Sequence, residues 1–134
     1  MTRKRFVGID PGHSKCGYAT VFEDGERTAL EVVPTGSIAG RIEADVRMGD
    51  IAGICVGDAT TSKSMLELCR SRWPAIPVAL VDERNTTLQA RQRYYQDHPP
   101  RGLLRLVPRG LLVPKEPLDG YAALLIVERF LASR

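Results

Sequence analysis

The chain has 134 residues, of which 43% are hydrophobic, and its 19 basic and 16 acidic residues give a formal net charge of +3. This length predicts a single domain, residues 1–134, with a hydrophobic core large enough to fold without disulfide bonds or a structural metal ion. No apolar run reaches the roughly 18 residues that a membrane span needs. Three cysteines, Cys16, Cys55 and Cys69, lack the spacing of a disulfide framework or a zinc site. These features exclude a membrane-spanning protein and a disulfide scaffold, and they predict a cytoplasmic domain with no membrane partner.

The first third of the chain predicts an antiparallel meander of three strands. Residues 6–9 form a short apolar strand that ends at Asp10, where Pro11-Gly12 turns the chain. Residues 17–22 predict the second strand and residues 28–33 the third. Asp10 therefore lies at the rim of a hairpin. It is either a turn residue that accepts a backbone hydrogen bond or a functional carboxylate.

The rest of the chain alternates helices with apolar strands. The predicted elements are a weak helix at 38–48, a strand at 51–56, a helix at 62–72, a strand at 76–81, a helix from Thr86 or Thr87 to about 96, a long loop at 97–114 and a helix at 118–132. Helical crossovers predict that the later strands are parallel. The fold class is therefore α/β, with a five-stranded mixed sheet flanked by helices.

Acidic residues follow three of these strands and begin the last helix. Asp10, Asp58 and the pair Asp82-Glu83 stand at strand carboxyl ends, which is where sheets of this kind bind ligands. Glu116 and Asp119, three residues apart, stand at the start of the terminal helix. Asp119 is also a candidate N-cap, because Asp is a preferred residue there, and the two roles are compatible.

The segment from Arg84 to Lys115 carries seven cations and one acid, Asp97, so its charge is +6 while the remainder of the chain sums to −3. A solvated basic face is one interpretation. Six of the cations are arginines, and Tyr94 and Tyr95 lie among them, which favours phosphate binding and base stacking. The candidate nucleic-acid-binding residues in this segment are Arg84, Arg91, Arg101, Arg105, Arg109 and Lys115.

Three motifs in order resemble one family over nearly the whole chain. They are Gly8-Ile9-Asp10-Pro11-Gly12 with Gly17-Tyr18-Ala19, then 81–87 (VDERNTT) with Ala90-Arg91, then 118–126 (LDGYAALLI). This pattern is similar to that of the YqgF family. The family consists of small RuvC-like nucleases of the ribonuclease H-like superfamily, with ascribed roles in Holliday junction resolution and pre-16S rRNA processing. The resemblance implies a ribonuclease H-like fold.

The resemblance also implies which residues carry the chemistry. The family's catalytic acids map to Asp10, Glu83 and Asp119. The related RuvC resolvases add an acidic pair that Glu116 and Asp119 reproduce, and they place the second acid after the fourth strand, where Asp58 stands. Such acids would hold two Mg²⁺ or Mn²⁺ ions about 4 Å apart that activate water and neutralise the phosphate. Without metal, clustered carboxylates repel, so we expect raised carboxylate pKa values.

Three functions remain open at this point. The chain is a metal-dependent endonuclease acting on branched DNA, a nuclease that processes the 5′ end of 16S rRNA in structured RNA, or a non-catalytic nucleic-acid-binding module. Symmetric cutting of a four-way junction requires two active sites, hence a homodimer. Exposed leucines in the 103–113 loop would suit such an interface. A sugar-kinase-like ATPase, which also begins with Gly-Ile-Asp-x-Gly, needs further motifs for which 134 residues leave no room.

Overall fold

A five-stranded mixed sheet forms the centre of the part of the chain that the structure describes, residues 3–84, 86–107 and 118–134. In this computed structural model the strands are β1 (Arg5–Asp10), β2 (Lys15–Phe22), β3 (Arg27–Pro34), β4 (Ile51–Gly57) and β5 (Val78–Val81). Their order across the sheet is β3-β2-β1-β4-β5. The β1–β2 and β2–β3 pairs are antiparallel, whereas the β1–β4 and β4–β5 pairs are parallel. The predicted meander and the predicted parallel strands are confirmed.

Helices cover both faces of the sheet. They are α1 (Ile38–Met48), α2 (Ser62–Arg72), α3 (Thr86–Asp97) and α4 (Asp119–Ala132), with short 3₁₀ turns at Thr35–Ser37 and Gly102–Leu106. Side chains alternate along β1, so Phe6 packs in the core beneath α3 and α4, while Val7 packs beneath α1 and α2. Residues 120–127 of α4 are all buried, as the nearly uniform apolar sequence predicts. None of the helices among the described residues is long and apolar enough to span a membrane.

The fifth strand begins two residues later than the sequence predicts, at Val78 rather than Ile76. The Ile76 N–H is occupied in the turn that follows α2, where it donates to the Trp73 carbonyl over 3.0 Å. Pro77 has no N–H to offer a strand partner. The predicted caps of α3, Thr86 and Thr87, have side chains that lie outside the described residues.

A buried ion pair fixes the opposite end of β1. The Arg5 guanidinium donates to Asp45 Oδ1 over 2.8 Å and to the Asp45 and Gly49 carbonyls over 3.0 Å each. Asp45 also accepts hydrogen bonds from Tyr18 and Arg41. Every oxygen of this buried carboxylate thus has a partner, which a buried charge requires. Arg5 is therefore a charged residue of the core rather than of the solvated surface.

The three cysteines are buried free thiols. Burial raises the pKa of Cys55 to about 12 and that of Cys69 to about 11. Thiols held neutral in this way behave as small apolar core residues.

Candidate active site

Asp10 lies at the carboxyl end of β1, on the face of the sheet that α4 covers. It has the same parity along the strand as Phe6, which packs against α4, so its side chain points to that face. Its partner in the β1–β2 pair is Gly17. A Cβ placed on Gly17 would lie 3.2 Å from the Asp10 Cβ. The hairpin thus leaves a shallow space beside the Asp10 carboxyl group.

The first turn of α4 enters that space. A Cβ on Gly17 would lie only 1.8 Å from the Asp119 carbonyl oxygen, so a side chain at position 17 would push the helix start away from the sheet. Asp119 is the first residue of α4, and its N-cap is Leu118, which makes no side-chain capping bond. The Asp119 carboxylate is therefore not the N-cap of this helix.

Glu83 reaches the same place from the loop that follows β5. Gly57 at the end of β4 provides the room, because a Cβ there would lie 2.5 Å from Glu83 Oε2. The Glu83 and Asp10 carboxyl groups share a hydrogen bond. A hydrogen bond between two carboxyl groups requires that one of them carries the proton. The structure therefore places the first and second of the three predicted acids side by side.

The electrostatics of Asp10 link all three acids. Burial, the hydrogen bond with Glu83, and the charges of Glu83 and Asp119 together raise the pKa of Asp10 to about 7. This agrees with the raised carboxylate pKa expected for clustered acids without a counter-ion. A carboxyl group in this state readily exchanges its proton for a cation that neutralises its neighbours.

The donor set suits a divalent ion of the magnesium type. Among residues 3–84, 86–107 and 118–134, no three His, Cys, Asp or Glu side chains converge closely enough to enclose a metal ion. Mg²⁺, however, binds proteins through only one or two carboxylates and completes its octahedron with waters and phosphate oxygens. Asp10 and Glu83 supply such a pair of hard oxygen ligands. The residues present thus fit a divalent ion held by Asp10 and Glu83, with Asp119 beside it.

Lys15 is a site residue that sequence reasoning missed. Its Nζ lies 3.5 Å from Asp119 Oδ2, and just over half of its side chain is exposed. The alternation of side chains along β2 could have identified it, because residues 15 and 17 share one face of the strand and Gly17 is paired with Asp10. An ammonium group in this position can contact a phosphate oxygen held at the acids.

Arg129, near the end of α4, holds the loop that carries Glu83. Its guanidinium donates to the carbonyls of Asp82 (2.8 Å) and Arg84, the two residues that flank Glu83, and to Gln89 Oε1 (2.9 Å). Asp82 itself points outward, where it accepts hydrogen bonds from the backbone and side chain of Arg84. Of the adjacent acids after β5, only Glu83 faces Asp10.

Of the two further candidate acids, the structure describes Asp58, which is not part of this group. Asp58 is exposed, and it is not among the charges that raise the pKa of Asp10. The residue before it, Gly57, faces Glu83 and α4, so strand alternation turns the Asp58 side chain to the other face. Glu116 lies outside the described residues.

The basic segment is less uniformly positive than its composition indicates. Arg84 pairs with Asp82 over 2.9 Å and Arg93 pairs with Glu128, both acids from outside the segment. Arg91 is partly buried, whereas Arg101 and Arg105 are exposed beside and within the second 3₁₀ turn. Arg109 and Lys115 lie outside the described residues. Arg84 is exposed as well but is paired with Asp82, so Arg101 and Arg105 are the exposed candidate phosphate contacts that form no ion pair among the described residues.

The expectation that Tyr94 and Tyr95 stack on bases is wrong. Both rings are buried, at 6% and 7% exposure. They pack edge to face with each other at 5.1 Å between centroids, and Tyr94 also packs against Tyr121 at 5.9 Å. The pair joins α3 to α4 in the core, so no tyrosine face is presented to solvent there.

Comparison with solved structures gives the class of fold. Thermus thermophilus RuvC in complex with a Holliday junction substrate matches with a TM-score of 0.57 at 19% identity, covering 98% of this chain and 95% of that one. A second Thermus thermophilus RuvC structure matches with a TM-score of 0.54 at 16% identity, over 96% of this chain and 92% of that one. The chain therefore has the ribonuclease H-like α/β fold of RuvC, which confirms the predicted fold class. No protein-family model and no curated protein matches the sequence, so the YqgF resemblance stays a prediction.

Proposed function

We propose that residues 1–134 act as one metal-dependent nuclease domain that hydrolyses phosphodiester bonds in branched DNA, in the manner of a Holliday junction resolvase. The observation that carries this proposal is the grouping of Asp10, Glu83 and Asp119 at the carboxyl edge of a RuvC-like sheet, where burial and the two acidic neighbours together raise the pKa of Asp10 to about 7. Isolated acids at a surface would repel a phosphate. Acids that hold a cation would instead attract it.

The proposed roles of the site residues are metal binding, phosphate contact and positioning of Glu83. Asp10, Glu83 and Asp119 would hold the divalent ions, Mg²⁺ or Mn²⁺. When bound, two such ions supply an activated water and neutralise the charge on the attacked phosphate. Lys15, at 3.5 Å from Asp119, supplies a further positive charge toward the phosphate oxygens. Arg129 holds Glu83 in place through the backbone on either side of it.

Branched DNA is the proposed substrate because one matched RuvC structure is in complex with a Holliday junction substrate and covers nearly all of this chain. Two exposed arginines, Arg101 and Arg105, supply phosphate contacts. Processing of structured RNA, such as the 5′ end of pre-16S rRNA, is the alternative that the YqgF resemblance favours.

Symmetric resolution of a junction also requires a homodimer. Leu103 and Leu106 are 83% and 82% exposed, and they lie three residues apart in a 3₁₀ turn, so they present one apolar edge. Leu104, Leu111 and Leu112 belong to the same predicted patch and lie outside the described residues or side chains. We propose this leucine edge as the dimer contact, which sedimentation of wild type and a Leu103→Ser, Leu106→Ser variant would test.

One cleavage panel tests the proposed function. Purified protein with Mg²⁺ or Mn²⁺ is offered a four-way junction, linear duplex, single-stranded DNA and structured RNA. Wild type should cut the junction fastest, and Asp10→Asn should bind it without cutting. Asp58→Asn is the matched control, since it removes an exposed acid at the same edge of the sheet. Preferential cleavage of RNA would favour the processing nuclease, and binding without cleavage in wild type would favour a non-catalytic module.

A further inference from the structure

A cavity of about 270 Å³ lies at the same edge of the sheet as the acids, on the face that α1 and α2 cover. Its walls are the turn after β1, the start of α1 and the first two turns of α2. His13, in its wall, is three residues beyond Asp10, so their Cα atoms are at most about 11 Å apart. The turn Pro11-Gly12 thus lies between the two, with the acids on the α4 face of this sheet edge and the cavity on the α1 and α2 face.

The lining of this cavity combines an apolar floor with a few polar side chains. Met65 and Leu68 contribute apolar surface, and His13, Thr61 and Ser64 contribute an imidazole and two hydroxyls. The described lining residues include no Asp, Glu, Lys or Arg, so the cavity is not built for a phosphate or a metal ion. A flat, uncharged ring with hydrogen-bonding edges is the ligand that this lining would accept.

One polar group in the wall still lacks a partner. The Thr61 hydroxyl oxygen is buried and makes no hydrogen bond within the described part of the chain, although Thr61 is the N-cap residue of α2. The hydroxyl of Thr35, also in the wall, is already used, since it donates to the Gly12 carbonyl over 2.9 Å. A buried hydroxyl without a partner is costly, so rotation of the Thr61 side chain toward a ligand edge in the cavity would be favourable.

We propose that this cavity receives one unstacked nucleobase from the nucleotide next to the phosphate held at the acids. The inference rests on the proposed function, because it needs nucleic acid at Asp10. Its volume falls below the roughly 300–1,000 Å³ of pockets for drug-sized ligands, which suits a single base rather than a dinucleotide. Met65 and Leu68 would contact the base faces, and Thr61 and Ser64 would bond its edge. Branched and unpaired substrates release a base most readily.

Fluorescence of 2-aminopurine tests the proposal without requiring cleavage. The base is placed in turn at each position flanking the junction centre, and binding is measured in EDTA. Unstacking should raise the fluorescence several-fold at one position and leave the others nearly unchanged. Ser64→Met, which fills the cavity, should abolish that rise. Ser71→Met adds the same side chain to the same helix outside the cavity, so it should retain the rise.

A second variant tests the hydrogen bond alone. Thr61→Val keeps the shape of the cavity and removes the hydroxyl, so it should weaken binding about three- to tenfold only for substrates that carry a base at the responsive position. An abasic nucleotide there should make wild type and Thr61→Val bind equally.

The outcomes separate the cavity from the catalytic proposal. Junction cleavage with no position-specific fluorescence, or with the same rise in Ser64→Met as in wild type, overturns the base pocket and leaves the nuclease standing. A position-specific rise lost in Ser64→Met supports the pocket even if no substrate is cut. Absence of any nucleic-acid binding overturns the pocket as well.

Discussion

Replacing Asp10 by Asn should stabilise the metal-free protein at neutral and alkaline pH while abolishing cleavage. The pKa of Asp10 is about 7 in the folded chain and 3.8 without perturbation. Because the pKa is raised by folding, the stability that protonated Asp10 contributes is complete below pH 3.8 and is lost as the pH rises through 7. Asn keeps the hydrogen bond to Glu83 and carries no charge, so the variant does not lose this stability.

The size of the effect follows from the same pKa values. For a fully buried carboxyl group, the free energy of unfolding would fall by about 1.4 kcal/mol for each pH unit in this range. Between pH 5 and pH 7 the loss would be about 2.7 kcal/mol. Asp10 is partly exposed, so we halve this for solvent screening to about 1.4 kcal/mol. A chain of 134 residues has an unfolding entropy near 0.28 kcal/mol per kelvin. The melting temperature of Asp10→Asn relative to wild type should therefore rise by about 5 °C from pH 5 to pH 8.

The assay is thermal unfolding in EDTA across this pH range, repeated with Mg²⁺. Asp58→Asn serves as the control, and its melting temperature should follow that of wild type at every pH because Asp58 is exposed. Mg²⁺ should raise the melting temperature of wild type at pH 8 and leave Asp10→Asn unchanged. A constant difference between Asp10→Asn and wild type from pH 5 to pH 8 would refute the electrostatic reasoning.

Three further predictions concern cleavage and binding. Glu83→Gln and Asp119→Asn should each lower the junction cleavage rate by more than about 100-fold, because loss of residues that merely support metal ligands already lowers activity by about 10–100-fold. A smaller loss for Glu83→Gln than for Asp58→Asn would instead assign the second catalytic acid to position 58. Lys15→Met should lower the rate at saturating Mg²⁺ about tenfold with unchanged junction affinity; if Lys15 only neutralises Asp119, the rate stays and the Mg²⁺ affinity rises. The double variant Arg101→Ala, Arg105→Ala should reduce the slope of log K against log salt by about 1.8, whereas Arg70→Ala at the far end of α2 should leave it unchanged.

The sequence predicts the sheet and its helices because the hydrophobic periodicity and the turn-forming residues indicate the same elements along most of the chain. Alternation through β1 and β2 and the Pro11-Gly12 turn both act within a few residues. The predicted start of β5 is wrong by two residues because the Ile76 N–H donates a hydrogen bond to the Trp73 carbonyl in the preceding turn. Such competition between neighbouring partners has no signature in hydrophobic pattern.

The site is predictable only in part, because its supporting residues come from distant segments. The candidate acids Asp10 and Glu83 stand at or just beyond strand ends, where their role shows in the order of elements. Arg129 contacts the loop at 82–84 across 45 residues of sequence or more, and neither end carries a motif. The prediction for Tyr94 and Tyr95 was wrong for the same reason. Tyrosines among arginines are typical of a binding surface, and only the packing of α3 on α4 shows that these two are core residues.

Helix α4 connects two of these observations. Its first residue, Asp119, reaches the acid site because Gly17 lets the backbone approach the sheet, and its last turn holds the Glu83 loop through Arg129. Between these ends, residues 120–127 are buried, so the helix has little freedom to slide on the sheet. A displacement of α4 would therefore move Asp119 and Glu83 together with respect to Asp10. The spacing of the three acids is thus set by how closely one helix packs on the glycines of β1, β2 and β4.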